Sequence, residues 1–424
     1  MKKLSKYIVI TDSYDMDSKL LFNRVNGYFI KYSKKDYETL SKFLENEKIS
    51  KFLEEKGFFD NPDLSYLDNL YKEKIDSADT LNLIIKTTKQ CNFRCSYCYE
   101  NFSNQMIDKS KEKILYNFIR NEIIIKKIKK LYISWFGGEP LLNIDIINSL
   151  GEEILKLCKE LNVEYHSSIT TNGYLLNEKN IDTLFNINNR VFQITLDGWS
   201  KIHNKNRVSF KGNATFEKIL SNLKKLKLRN EKFIVFIRTN LNNENFYNIE
   251  KYYDEISDIF KDRRFIQIFT PVTDFKNMTS EIDRNQIFEV IKKGLSFGIN
   301  FINLLDDLIL YKNLCYACKK NNYVIEPDLS VSKCTISTDE ESIVGYIDNE
   351  SKLILNKNIN LWKDSYYSEK CNVCGEKYEC RGGNCPKYYL LKKEPRCEII
   401  NSQTMQEILK IEDLQNNYNV YIHQ

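Results

Sequence analysis

From residue 81 onward the chain alternates short apolar strands with amphipathic helical stretches, six times over, and the strands run out into glycine or polar residues. The strands read as Leu81–Thr87, Leu131–Phe136, Tyr165–Thr171, Val191–Leu196, Lys232–Thr239 and Arg264–Thr270. Stretches of helical period lie between them, for instance Asp145–Leu161 and Phe216–Arg229. Strand–helix–strand units cross over right-handedly and build a parallel sheet. Six units make an incomplete (β/α)6 barrel of TIM type, so the fold class is α/β. In parallel barrels chemistry sits at the C-terminal ends of the strands. Here those ends carry Gly137-Gly138-Glu139-Pro140, Thr170-Thr171-Asn172-Gly173, Asp197-Gly198 and Asn240.

Directly after the first of these strands come Cys91, Cys95 and Cys98, spaced C-x3-C-x2-C. Three thiolates on one short loop can hold three corners of a cubane iron–sulfur cluster and leave the fourth iron open. An open metal position is where a substrate or cofactor binds. Zinc is the alternative, although a structural zinc site normally takes four protein ligands. The chain has 12 cysteines, and eight of them fall in its last third. In a reducing compartment so many cysteines point to metal rather than disulfides.

At 424 residues the chain exceeds one compact core. Boundaries are expected near residues 80 and 300, giving units 1–80, 81–300 and 301–424. A mean hydropathy of −0.48 and the lack of any run near 20 apolar residues speak against a membrane span. The basic start is followed by too short an apolar run for a signal peptide, which predicts a cytoplasmic protein. The net charge of +5 is too balanced to imply nucleic acid. The run Lys126-Lys127-Ile128-Lys129-Lys130 reads as a solvated helix end.

The cysteine spacing and its context resemble the radical S-adenosylmethionine (SAM) enzymes. That resemblance implies a [4Fe-4S] cluster with an open iron site on Cys91, Cys95 and Cys98, and SAM bound to it. Tyr97 is then expected beside the adenine. Gly137, Gly138 and Glu139 are expected at the amino group of SAM, where a carboxylate complements an ammonium. Thr171 and Asn172 would lie near the ribose or carboxylate, and Arg207 could pair with the methionyl carboxylate through its planar fork. An electron from a reductant such as flavodoxin or ferredoxin would cleave SAM to a 5′-deoxyadenosyl radical, which abstracts hydrogen from substrate. No residue is assigned as catalytic acid or base, and His203 reads as structural. An exposed cluster predicts oxygen sensitivity and an anaerobic host.

The later cysteines resemble the SPASM extension, which adds one or two auxiliary [4Fe-4S] clusters to radical SAM enzymes acting on peptides. By position one cluster would take Cys371, Cys374, Cys380 and Cys397. The other would take Cys334 and Cys385 with Cys315 and Cys318. Cys158, on a predicted helix, is left as a core residue. A pair of zinc sites is the alternative for this region. The family spacing before the residue at Cys385 is x3, and here it is x4. Leu329 replaces a usual glycine. Anaerobic sulfatase-maturating enzymes share this architecture and place an Asp after the cysteine at the position of Cys334. Here Thr335 follows, which counts against formylglycine formation.

Residues 1–80 read as a winged-helix-like α+β unit. A strand at Tyr7–Thr11 and a hairpin around Asn26-Gly27 precede two helices, about Lys35–Asn46 and Ile49–Lys56. Such modules capture leader peptides, and a structural cap is the plainer use. The reading is a peptide maturase whose partner is a ribosomally made precursor peptide, with a thioether or other crosslink as product. Alternatives are epimerisation, sulfatase maturation, or a non-catalytic iron–sulfur protein that transfers electrons or senses.

Overall fold

The computed structural model describes residues 2–60, 65–310, 314–336, 342–363, 374, 385–392 and 400–422. The chain divides into two compact units. The larger comprises residues 76–302 and 316–364. The smaller comprises residues 1–75, 303–315 and 365–424.

In the smaller unit β1 (Ile8–Asp12), β2 (Ser18–Asn23) and β3 (Phe29–Ser33) form an antiparallel meander. The expected hairpin forms, but with a longer loop than a two-residue turn. Gly27, at φ +76°, donates its N–H to Asn23 O at 2.8 Å. The side chains of Asn23 and Asn26 accept from Val25 N and Tyr28 N, two local turns that together widen the loop. The first helix, α1 (Leu40–Glu45), starts five residues later than its periodicity suggests. Thr39 is the reason: its hydroxyl accepts from Lys42 N and caps the helix there. Asn46 ends α1 and caps α2 (Glu47–Glu55), so one residue makes the corner. Tyr32 stacks on Phe43 at 3.9 Å between ring centres, amid Leu21, Ile30, Leu53 and Phe58. A fourth strand, Val420–Ile422, pairs in parallel with β3, and the helix Ser402–Leu414 packs on β1 and β2.

That helix carries a fully buried carboxylate, Glu412. It accepts from Leu304 N at 2.6 Å, Gln415 Nε2 at 3.2 Å and Asn417 Nδ2 at 2.6 Å. Burial outweighs these donors, Asp306 adds to it, and the pKa is pushed up to about 7 from 4.5. A raised carboxylate pKa means the folded state binds the proton more tightly than the unfolded state. Stability is therefore greatest below about 4.5 and falls as pH rises towards 7, by about 3 kcal/mol in total from this group. Glu412→Gln is expected to flatten that slope and to raise the melting temperature at pH 8. Thermal unfolding from pH 5 to 8 checks it, and an unchanged slope would remove Glu412 as its source.

The larger unit is built on one ten-stranded sheet. Its parallel strands are β4 (Thr80–Lys86), β6 (Lys130–Phe136), β7 (Glu164–Thr171), β8 (Asn189–Thr195), β10 (Ile234–Leu241) and β11 (Phe265–Pro271), each beside its predecessor. All six predicted strands are present within two residues. Two short strands, β5 (Phe93–Cys95) and β9 (Arg207–Ser209), form a separate ribbon. Beyond β4 the sheet continues through β14 (Asn322–Ile325), parallel to it. The antiparallel β15 (Ser330–Ser332), β16 (Ile343–Ile347) and β17 (Leu353–Leu355) follow. β12 (Thr273–Asp274) and β13 (Thr279–Ser280) make a small hairpin after β11.

The helix Ile144–Glu160 shows how the outer layer is held. Ile146, Ile147, Leu150, Ile154, Leu157 and Cys158 recur at helical spacing and are all buried. Each large aliphatic side chain so covered contributes roughly 2 kcal/mol. Cys158 is one of this stripe, as its position predicts. Trp135 is fully buried on β6, and its indole N–H donates to Ser167 on β7 at 3.0 Å. Ser167 donates to Asn189 on β8 at 3.2 Å, so a polar thread registers three neighbouring strands. Among the described residues no helix is long and apolar enough to cross a membrane.

Candidate active site

Backbone pairing between β4 and β6 does not stop where the strands end. Gly138 N donates to Thr88 O at 2.9 Å and Glu139 N to Gln90 O at 2.8 Å. A Cβ on Gly137 would lie 2.3 Å from Thr88 O, and one on Gly138 would lie 2.2 Å from Gln90 O. What approaches these two glycines closely is the stem of the cysteine loop. The same strand extension leads Gln90 straight into Cys91.

The loop is fixed again by the ribbon of β5 and β9, which sets Cys95 opposite Arg207. A buried ion cluster secures its far side. Lys86, only 3% exposed at the end of β4, pairs with Glu100 at 3.2 Å and Glu326 at 3.0 Å. Glu326 directly follows β14, so the cluster joins three chain segments. None of the three residues stands out in the sequence, because lysine and glutamate are ordinarily surface residues.

Cys91, Cys95, Cys98, Tyr97, Gly137, Gly138, Thr171, Asn172 and Arg207 all line one cavity of about 170 Å³. Gln193, Thr195, Arg238 and Asn240 join them from the strand ends; of these, the sequence singles out only Asn240, by its place at a tip. Glu139 stands apart, fully buried beneath the cavity wall. Its Oε1 accepts from Leu141 N at 3.0 Å and Thr171 Oγ1 at 2.7 Å, and its Oε2 accepts from Asn172 N at 2.8 Å. It therefore orients Thr171 and Asn172. Asn172 in turn donates to Asn92 in the cysteine loop at 2.7 Å.

The opposite wall is a network around Asp197. Its Oδ1 accepts from Asn240 N at 2.8 Å and Asn240 Nδ2 at 3.1 Å. Its Oδ2 accepts from the Tyr97 hydroxyl. That hydroxyl accepts from Arg207 Nη1 at 2.7 Å and Asn240 Nδ2 at 3.1 Å. Arg207 and Asp197, both buried, lie 3.8 Å apart as an ion pair. Burial works against the guanidinium charge, but Tyr97, Cys95 and Asp197 outweigh it and raise its pKa.

His203 supports the network without titrating in it. Asp197 N donates to its Nδ1 at 3.1 Å, so Nε2 carries the proton and donates to Thr215 Oγ1 at 3.1 Å. The Thr215 hydroxyl in turn donates to Arg207 O at 2.6 Å. Burial, helped by Arg207, holds the imidazole pKa far below its ordinary value. A buried, doubly bonded His203 fits its structural reading.

The residues fit a cluster with an open iron. Burial raises all three thiol pKa values, that of Cys91 to about 12 with help from Glu139, so ligation must displace protons. Among the described residues no three His, Cys, Asp or Glu side chains converge on a single-ion position. The three thiols line one cavity, which leaves room for a cofactor larger than one ion. Arg207 Nε is buried without a hydrogen-bond partner, a donor left over at the cavity wall for an anionic group.

Of the later cysteines, Cys318 and Cys334 are buried, Cys315 and Cys385 partly buried and Cys374 exposed. Cys371, Cys380 and Cys397 lie outside the described residues. Thr335 is held by Tyr316, which accepts from Thr335 N at 2.9 Å and bonds its hydroxyl at 2.8 Å.

Residues 85–256 match the Radical SAM superfamily. Over 340 residues the chain is 30% identical to a cysteine-type anaerobic sulfatase-maturating enzyme of Clostridium novyi, covering 72% of this chain and 87% of that one. The chain belongs to the radical SAM superfamily. Its cofactors are those of the family, a [4Fe-4S] cluster and SAM. Among solved structures, this radical SAM enzyme resembles anSMEcpe with bound AdoMet and Cp18Cys peptide, with a TM-score of 0.61 at 20% identity. That match covers 80% of this chain and 98% of that one. It also resembles Streptococcus suis SuiB bound to precursor peptide SuiA, with a TM-score of 0.52 at 16% identity, over 95% of this chain and 99% of SuiB.

Proposed function

We propose that this radical SAM enzyme oxidatively crosslinks a ribosomally made peptide, with a thioether as the first product to seek. The observation that carries the reading is the extent of the likeness to SuiB. It spans 95% of the chain, so it takes in most of the N-terminal unit, whereas the likeness to anSMEcpe spans 80%. SuiB is the neighbour solved with a precursor peptide. Thr335, bonded to Tyr316 and carrying no carboxylate, agrees with a product other than formylglycine.

Cys91, Cys95 and Cys98 would hold the cluster. Tyr97, Gly137, Gly138, Thr171, Asn172 and Arg207 would line SAM, with Glu139 setting the last of the β6 and β7 tips. Bound SAM, reductively cleaved, supplies a radical that removes hydrogen from substrate. The chain's own part is to hold reactants in contact and keep water out. Cys371, Cys374, Cys380 and Cys397, with Cys315, Cys318, Cys334 and Cys385, would hold auxiliary clusters that take up the substrate's electron. The sheet of the smaller unit would hold the leader; its outer strands are β1 and Val420–Ile422, and β1, the longer of the two, would take the added strand.

Sulfatase maturation is the second reading, favoured by the 30% identical relative. Anaerobically reconstituted enzyme with SAM and dithionite decides between them. One arm receives cysteine-containing peptides encoded beside its gene, the other a peptide bearing the cysteine motif of a sulfatase. Loss of two hydrogens in the first arm, with sulfur retained, is the expected mass change. Replacement of sulfur by oxygen together with loss of two hydrogens in the second arm, with the first unchanged, would make it a sulfatase maturase.

A further inference from the structure

The ribbon of β5 and β9 has two faces. Side chains alternate along it, and Phe93, Cys95 and Arg207 turn into the cavity. Arg94 turns the other way and is exposed. Its Nη1 donates to Cys91 O at 2.9 Å and Phe93 O at 2.6 Å, so the guanidinium lies against the cysteine loop itself. It is flanked by two rings, Phe102 at 4.4 Å and Phe210 at 4.6 Å. Phe210 is 67% exposed, although its N–H is pinned to Asn92 O at 2.7 Å. Lys211 follows it and is exposed as well. Among the described residues neither Arg94 nor Lys211 has a carboxylate partner. Glu100, in the same loop, is engaged with Lys86.

We propose that Arg94, Phe210 and Lys211 form the docking surface for a small acidic one-electron carrier protein that reduces the cluster. The inference rests on the radical SAM reading of the site and goes beyond it by placing the electron's entrance. An exposed aromatic side chain stacked on Arg94, with exposed Lys211 next in the chain, suits a small, charge-steered, transient interface. Arg94 bonds the carbonyl of Cys91 itself, and Phe102 beside it also lines the cavity, so a carrier seated there lies against the loop that carries the thiols. The step is a bare electron transfer. The carrier loses one electron, the cluster gains one, and no bond or proton moves.

The test is stopped-flow absorbance of cluster reduction in the fully loaded enzyme, with photoreduced bacterial flavodoxin in one arm and dithionite in the other. Lys211→Glu is expected to slow flavodoxin reduction on the order of tenfold at low salt and to flatten its salt dependence. Phe210→Ala should slow it several-fold, and dithionite should reduce both variants at the wild-type rate. Lys156→Glu, on an outer helix, controls for net charge. Wild-type rates with flavodoxin in both variants would overturn the proposal, as would a loss no larger than that of Lys156→Glu. Arg94→Gln is the third variant. If it alone loses iron, Arg94 holds the loop, and the other two variants still decide. Absence of any cluster in the wild type would instead count against the radical SAM site.

Discussion

Gly138→Ala is expected to yield a folded protein that cannot keep iron at Cys91, Cys95 and Cys98. The added Cβ would sit 2.2 Å from Gln90 O and 2.7 Å from its carbonyl carbon. Both are backbone atoms, so no rotamer change relieves the clash. Glu139 N–H bonds that same oxygen, and the two segments must part to make room. The clash costs about 1–3 kcal/mol as overpacking, and the lost hydrogen bond adds about 1 kcal/mol. Stability is not the main casualty. Gln90 is the residue before Cys91, so a shift of about an ångström moves the first ligand, and displacements of that size cost on the order of 100-fold in rate. Gly138 does not occupy a left-handed conformation, whereas Gly137 does at φ +135°. The loss in Gly138→Ala would therefore report the close approach alone. Iron analysis after reconstitution, with circular dichroism for the fold, is the measurement. A variant with a full complement of iron and normal SAM cleavage would show that the strand extension does not position the loop.

That contact marks where sequence reasoning reaches its limit. The glycines were legible as glycines that something must approach, and a ligand was the natural candidate. The actual neighbour is Thr88–Gln90, a contact across the sheet with no local signature. The six parallel strands were legible because each is a short run rich in apolar residues followed by a polar tip, with every second side chain buried. The inner strand β14 was not, although Asn322–Ile325 is similarly buried. It lies among cysteines that resemble a separate module, and its partner β4 is far away in sequence. The same holds for Val420–Ile422, which completes the small unit's sheet. In the active site the thiols, Tyr97 and Arg207 could be chosen by chemical type. Lys86, Glu100 and Glu326 could not, since only the fold shows that these charges are buried together.

Removal of the Asp197 carboxylate should have the next largest effect. Asp197→Ala leaves the Arg207 guanidinium, itself buried, without its counter-charge. Breaking such a pair on one side costs about 3–5 kcal/mol. It also strips the acceptor from Asn240 N, Asn240 Nδ2 and the Tyr97 hydroxyl at once. Tyr97 then loses its only acceptor in the network, and its ring is no longer held against the cavity. Affinity for SAM is expected to fall on the order of 100-fold or more, a loss that the cost of an unpaired charge readily accounts for. Asp197→Asn separates charge from shape. Its Oδ1 can still accept from Asn240, but an amide NH2 meets Tyr97 and Arg207 where a carboxylate oxygen was. An intermediate loss of SAM affinity with the fold intact is expected, because the donor–donor conflict falls on Arg207 and Tyr97 alone. Equilibrium SAM binding to the reconstituted variants, alongside iron content, distinguishes the cases. If Asp197→Asn binds SAM as tightly as the wild type, then Arg207 is held by Tyr97 and Cys95 without it. If both variants lose iron along with SAM, the network serves the ribbon that carries Cys95 before it serves the ligand.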